Sequence, residues 1–150
     1  MKYAEDLPYW KTGKSAERAI TEAKNAIENN KGKITSEGFF VRDGQGLYFL
    51  EFTMDGDSFR FVEPVMKSRS GNDRSAKIQA AASLKHSIKA RVNEAQRHGA
   101  RRAFMSALLL PNGETLDQQS NDMLVKMFSP YTGVSPLIDG EDVVDGEIET

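Results

Sequence analysis

The side chains best suited to chemistry in this sequence are the cations of residues 67–102. That segment carries ten Lys and Arg residues against two acids, and residues 103–150 carry nine acids against one base. Such a separation of charge suggests either an anionic partner or an internal one. Cations that project from a rigid element bind phosphate, and each contact releases counterions. We therefore predict an anionic-ligand site, for nucleic acid first and a free nucleotide second, formed by Lys85, Lys89, Arg91, Arg97, Arg101 and Arg102.

Other interpretations of these charges remain open. A basic helix flank is also typical of a plain solvated surface. The acidic C-terminal segment can compete with an anionic ligand for the basic segment, keep the chain soluble or dock another protein. A small protein of this type could also inhibit a host defence factor, as a sponge for a nucleotide signal or as a nucleic-acid mimic. The partners that the sequence allows are thus a nucleic acid, a nucleotide or a host protein, and a homodimer is compatible with it.

Acidic residues on and between the predicted strands raise the alternative of a metal-dependent nuclease or phosphodiesterase. The signature of such nucleases includes Glu-x-Lys on a strand, whereas Glu51 is followed here by Phe52-Thr53. Turn chemistry explains the aspartates equally well, because Asp is favoured in tight turns. The four acids concerned are Asp43, Glu51, Asp55 and Asp57.

Other catalytic patterns are weaker still. His86 and His98 lie twelve residues apart and cannot hold a metal jointly without distant carboxylates. The chain has no cysteine, which excludes thiolate nucleophiles and sulfur-ligated zinc. Gly13-Lys14-Ser15 matches the end of a phosphate-binding loop, but Pro8 stands where the first glycine belongs. The sequence favours binding over catalysis, with no metal and no cofactor.

The elements that would position these side chains are those of an α+β fold. Ser15 is a suitable N-cap for a helix over 16–29, and a long helix is predicted over 74–97. Three aromatic and β-branched runs at 38–42, 47–53 and 58–62 are separated by Asp-Gly turns, which predicts an antiparallel β-meander. Two further helices are predicted over 101–110 and 115–128. We expect two or three helices to pack on one face of the sheet.

Aromatic residues of the sheet have two possible roles. Tyr48, Phe49 and Phe52 could stack unpaired bases, as sheet aromatics do in several single-strand binders. A meander nevertheless needs its aromatic residues to build a core against helices. The core role is therefore favoured.

The expected organisation is an N-terminal arm over 1–14, a single domain over 15–130 and an acidic, flexible tail over 131–150. The tail has too few apolar residues to offset its ordering entropy, which predicts disorder. The apolar runs are far below the roughly 18 residues of a membrane span. No apolar run follows the first lysine as in a signal peptide. These features predict a cytoplasmic protein.

The order of elements, together with the run Leu110-Pro111-Asn112-Gly113-Glu114-Thr115-Leu116, resembles small hypothetical proteins encoded by phages and prophages. The resemblance spans roughly residues 15–128 and implies a viral or mobile-element origin, with the cytoplasm of the host cell as the location. The acidic tail is similar in composition to the tails of phage single-strand annealing and single-strand binding proteins. The resemblance implies no catalytic residue.

Overall fold

A computed structural model of the chain describes residues 2–118. It contains three α-helices, three strands and three short 3-10 turns in that range. The helices are α1 (Ala16–Glu28), α2 (Asp73–His98) and α3 (Ala100–Ala103), and the strands are β1 (Lys33–Arg42), β2 (Gln45–Met54) and β3 (Asp57–Pro64). The 3-10 turns are Ala4–Asp6, Met105–Ala107 and Leu116–Gln118. The predicted α+β class, with its β-meander and its helices, is confirmed, whereas the predicted acidic tail lies outside the described residues.

The sheet is an antiparallel meander in the order β1-β2-β3. Both hairpins close with two-residue Asp-Gly turns, and all four turn residues have positive φ, from 52° to 83°. This is the backbone of the type I′ turn, whose twist matches that of the flanking strands. The strands are longer than predicted because the ladder also includes residues beyond the aromatic runs, both at the turns, where Met54 pairs with Asp57, and at the far ends, where Lys33 pairs with Thr53.

Side-chain caps set the starts of both long helices. The Ser15 hydroxyl accepts a hydrogen bond from the Arg18 amide at 3.1 Å, as predicted, and α1 begins at the next residue. The Asn72 side chain accepts from the Ser75 amide at 3.1 Å in the same way. Each cap satisfies one of the amide groups that the first turn leaves unpaired.

The core lies between the sheet and the two long helices. Alternate residues of β2, Leu50, Phe52 and Met54, are buried on one face, as the two-residue period of a strand requires. Ile27 of α1 and Ile88 of α2 belong to the same cluster. The opposite face of the sheet holds half-exposed side chains and the Glu51–Arg60 ion pair at 2.6 Å. Helices therefore cover one face of the sheet in the described part of the chain.

Residues 100–109 differ from the predicted helix over 101–110. They form one α-helical turn, a 3-10 turn and then an extended segment in which Leu108 bridges Phe59 and the Leu109 amide donates to the Ser58 carbonyl. Phe104 is fully buried against Phe52 and Phe59. Burial of that ring and pairing with the free edge of β3 outweigh the helical preference of the segment.

The residues before α1 lie along the N-terminal half of α2. The Gln79 side chain donates to the Pro8 carbonyl at 2.9 Å, and the Tyr9 ring stacks on His86 with 4.1 Å between the ring centroids. The Glu5 carboxylate accepts hydrogen bonds from the Ser68 hydroxyl at 2.7 Å and the Arg69 amide at 2.8 Å. These contacts explain why Gln79 is buried.

Two compact units divide the chain, Met1–Leu109 and Leu110–Thr150. In the described part of the second unit, the Leu110 amide donates to the Glu114 carbonyl across the predicted Pro111-Asn112-Gly113 break. A 3-10 turn follows over Leu116–Gln118. The rest of the helix predicted over 115–128 lies outside the described residues.

None of the helices in residues 2–118 combines the length and apolar character needed to cross a bilayer.

Gly32, between α1 and β1, has no room for a side chain. A Cβ at this position would overlap Cγ2 of the buried Ile27 and lie 2.9 Å from Cε of Met54. We expect Gly32→Ala to lower the free energy of unfolding by about 2 kcal/mol through overpacking. Thermal denaturation should show a Tm drop of roughly 8 °C. Gly13→Ala is the control, because nothing lies within 4 Å of its Cβ position, and an equal loss in both variants would contradict the prediction.

Candidate nucleic-acid interface

The six predicted ligand-binding cations all lie on α2 from its midpoint onwards and on α3, but the structure divides them into two groups. Three make contacts inside the chain, and three are exposed and make no ion pair or side-chain hydrogen bond within residues 2–118. The contacts of each decide whether it is available to a phosphate, because a cation already paired with a carboxylate must give up that partner first.

Lys85 is the most buried of the six, with 7% of its side chain exposed. Its ammonium lies 3.3 Å from the carboxylate of Glu22 on α1. The same carboxylate accepts from Lys14 at 2.9 Å and from Arg18 at 3.4 Å. Lys85 therefore joins α1 to α2 and is not accessible to a phosphate.

Arg91 and Arg101 also have partners within the chain. The Arg91 guanidinium donates to the Ala103 carbonyl at 3.1 Å and lies 5.5 Å from the centre of the Phe61 ring. Arg101 binds the carboxylate of Asp57 with two hydrogen bonds, of 3.0 and 2.8 Å. A planar guanidinium suits this two-bond geometry. These contacts tie the α2–α3 region together and to β3.

Lys89, Arg97 and Arg102 are exposed, and we call them the solvent-facing cations. None of them makes an ion pair or a side-chain hydrogen bond with any residue in the range 2–118. Lys89 and Arg97 lie two turns apart on α2, about 12 Å along its axis. Glu94 is the one acid in the sequence between residues 74 and 102. The solvent-facing cations are therefore the members of the predicted set that remain available to an anion.

The positive field near Lys89 extends to His86. Burial lowers the pKa of His86, and the charges of Lys85, Lys89 and Lys14 lower it further. Since the ordinary pKa is 6.5, the imidazole is neutral at pH 7. The ring stacks on Tyr9 beside a group of cations that an anion would meet.

Glu22 should make the protein sensitive to acid. The hydrogen bond from Lys14, reinforced by that from Lys85, lowers the pKa of Glu22 from its ordinary 4.5 to about 2. A carboxylate whose pKa falls on folding stabilises the native state above its unfolded pKa, and that contribution disappears as the pH falls towards the folded pKa. We expect Glu22→Gln to have a lower Tm than the parent at pH 7.

Thermal denaturation between pH 7 and pH 2 checks this expectation. The difference in Tm between the parent and Glu22→Gln should shrink from about pH 4.5 downwards and be small near pH 2, where half of the native Glu22 carboxyls are protonated. Hydrogen bonds from Ser68 to Glu5 and from the Tyr3 amide to Asp6 also lower the pKa values of those two acids. They stay unchanged in both proteins, so a difference in Tm that does not vary with pH would refute the assignment to Glu22.

The four acids of the nuclease alternative do not converge on one site. Glu51 pairs with Arg60, Asp57 pairs with Arg101, and the Asp55 carboxylate accepts from the Ala100 amide at 2.9 Å. Asp43 occupies a hairpin turn. No group of three His, Cys, Asp or Glu side chains in the described range is placed to hold a metal ion. Each of these acids thus has a role in the fold.

The Gly-Lys-Ser run and most of the aromatic residues considered for base stacking also have structural roles. Lys14 of the Gly-Lys-Ser run binds Glu22, and Ser15 caps α1. Of the three aromatic residues considered for base stacking, Phe52 is fully buried and Tyr48 lies on the core side of β2. Phe49 lies on the opposite face, with its ring centroid 5.7 Å from that of Phe40. Phe52 and Tyr48 therefore contribute to the core.

Sequence reasoning missed a cluster of carboxamides between the C-terminal end of α1 and α2. A cavity of about 280 Å³ is lined there by Lys89, Val92 and Ala26, together with the four amide residues Asn29, Asn30, Asn93 and Gln96. We call this the amide cleft. The available signal was the repeat of polar residues at 89, 93 and 96, which one helix face would present together. Its counterpart on α1 could not be known without the packing of the two helices.

Comparisons of the chain with models of protein families, with curated proteins and with solved structures found no match. The functional assignment therefore depends on the side chains described above.

Proposed function

We propose that this chain is a non-catalytic nucleic-acid-binding protein whose solvent-facing cations, Lys89, Arg97 and Arg102, contact backbone phosphates. The observation that carries the proposal is the division of the basic segment. Internal carboxylates or carbonyls engage Lys85, Arg91 and Arg101, while the other three cations have no such partner in residues 2–118. Cations held out from a packed helix are suited to phosphate contact.

The electrostatic setting supports an anion at this surface. Lys89 lies one turn from Lys85, and the carboxylate that neutralises Lys85 is shared with Lys14 and Arg18. One negative charge thus faces three positive ones before Lys89 is counted. An excess of positive charge of this kind attracts phosphate at long range and accelerates association at low salt.

Salt dependence of binding tests the proposal. Polarisation of labelled single- and double-stranded DNA should give an association constant that falls linearly with salt concentration on logarithmic axes. We expect the combined variant Lys89→Ala, Arg97→Ala and Arg102→Ala to reduce that slope by about 2 to 3, since each lost phosphate contact removes roughly 0.9 on duplex or 0.7 on single strands.

Arg74→Ala is the matched control, because Arg74 is an exposed cation of the same helix that lies 15 residues, about 22 Å, before Lys89. It should leave the slope nearly unchanged. An unchanged slope in the combined variant, or no binding at low salt by the full chain, would refute the proposed function.

A further inference from the structure

The amide cleft adjoins a second cavity, of about 270 Å³, at the C-terminal end of α1. The two cavities share Asn29, Asn30, Val92 and Gln96 as lining residues. Each approaches the size of small-ligand pockets, which begin at about 300 Å³. The space is therefore sufficient for one planar heterocycle.

Two of the four carboxamides are held in place by their own contacts. The Asn30 side chain donates to the Ala26 carbonyl at 2.8 Å and accepts a hydrogen bond from the Gln96 amide nitrogen. That pair bridges α1 and α2 and fixes the orientation of Gln96. Its carboxamide oxygen makes no hydrogen bond within residues 2–118.

The other two carboxamides, Asn29 and Asn93, are exposed and form no side-chain hydrogen bond in the same range. Each presents a donor and an acceptor side by side. This pattern matches the edge of a nucleobase, and Asn or Gln binds adenine through its N6 donor and N7 acceptor. The cleft thus offers base-reading groups that no contact within the described fold uses.

The walls of the cavities supply apolar contact for a ring. Val92 lines both cavities and Met54 lines the second one, and each of these side chains is 4% exposed. A methionine thioether makes favourable contacts with aromatic rings. The apolar wall and the polar rim together have the composition of a site for a heterocycle.

The charges around the amide cleft determine how a nucleotide would be oriented in it. The helices run parallel, because Glu22 in the middle of α1 meets Lys85 in the middle of α2, and Asn30, just after α1, meets Gln96 near the end of α2. The C-terminal end of α1 carries partial negative charge, which disfavours a phosphate and favours an amino group. Lys89 lies one turn before Asn93, about 6 Å along α2. A phosphate therefore belongs beside Lys89 and a base among the amides.

We propose that the amide cleft binds the base of a phosphorylated adenine nucleotide, with the phosphate beside Lys89. The ligand can be a free nucleotide or an unpaired unit of a single strand, since both present the same chemistry. The inference rests on the proposed function for its phosphate contact and extends it from backbone binding to base recognition.

The test compares oligo(dA) with an abasic strand of equal length and charge, using the full chain. The parent should bind oligo(dA) at least about fivefold more tightly, the lower limit for a bidentate base contact. In the double variant Asn29→Ala and Asn93→Ala, that preference should disappear while the affinity for the abasic strand stays the same. Asn93→Asp, which keeps the side-chain shape, should weaken the preference in the same direction. Asn25→Ala, an exposed asparagine of α1 outside the cleft, should keep it.

Equal binding of the two strands by the parent would overturn the base-recognition proposal and leave phosphate binding intact. A preference for oligo(dA) that survives the double variant would also overturn it, because the base would then be read elsewhere. Failure of both strands to bind would refute the proposed function itself. A rise in Tm with adenosine 5′-monophosphate but not with inorganic phosphate identifies the free nucleotide as a ligand, and binding of oligo(dA) without that rise identifies the strand.

Discussion

Replacing Phe104 with alanine is expected to lower the free energy of unfolding by about 3–5 kcal/mol. The Phe104 ring is fully buried, with its centroid 5.0 Å from that of Phe52 and 5.6 Å from that of Phe59. Truncation removes the apolar contact and leaves a cavity that two rigid rings cannot fill. Thermal or urea denaturation should show the loss, with a Tm drop of roughly 12–20 °C.

Phe39→Ala is the matched control for that change. It removes the same group from a ring that is 38% exposed, lies 4.9 Å from Tyr48 between centroids and has the Lys77 ammonium 4.6 Å from its centre. Its effect should be less than half that of Phe104→Ala, because the water-facing part of the ring gains little from folding. Similar losses in the two variants would show that Phe104 does not anchor residues 100–109 to the core.

Reversing the charge of the solvent-facing cations should have the largest effect on nucleic-acid binding. We expect Lys89→Glu, Arg97→Glu and Arg102→Glu together to weaken nucleic-acid binding at low salt by about 100- to 1,000-fold. Each change removes an attraction and places a carboxylate against a phosphate. The native fold should persist, because none of the three side chains contributes an ion pair or hydrogen bond to the described structure.

The control carries the same change of net charge at the other end of α2. Lys67→Glu, just before α2, and Arg74→Glu and Lys77→Glu, in its first turns, alter three exposed cations. A moderate loss is expected from the change in overall field, well below that of the first variant. Equal losses would mean that the chain responds to net charge alone, and the solvent-facing cations would then have no special role.

Some cations of the basic segment 67–102 are paired within the chain and others are not, so its total charge does not measure its capacity to bind phosphate. Judged by sequence, residues 67–102 present a continuous basic stretch, and six cations are equivalent candidates for a ligand. In the structure, Lys85 and Arg101 neutralise Glu22 and Asp57, so part of the charge holds the fold together. These two side chains thus have internal partners, both of which precede the basic segment and lie outside the acidic segment 103–150, and the phosphate hypothesis applies to the remainder.

Local rules made much of the fold predictable. The Asp-Gly pairs favour two-residue turns of positive φ, and the alternation of β2 assigns Leu50 and Phe52 to one face. Ser15 is followed by α1 because a hydroxyl at that point satisfies an unpaired amide. Such effects depend on a few neighbouring residues, so the sequence alone determined the three strands, the two long helices and their order.

Tertiary structure alone decided which side chains are available for binding. Lys85 is neutralised by a residue of another helix, and Arg101 by a residue 44 positions away. The amide cleft exists because α1 and α2 pack in parallel and bring Asn30 to Gln96, 66 positions apart. Whether a charge or an amide is satisfied depends on groups within a few ångströms in space, and sequence patterns report only the groups that are near along the chain.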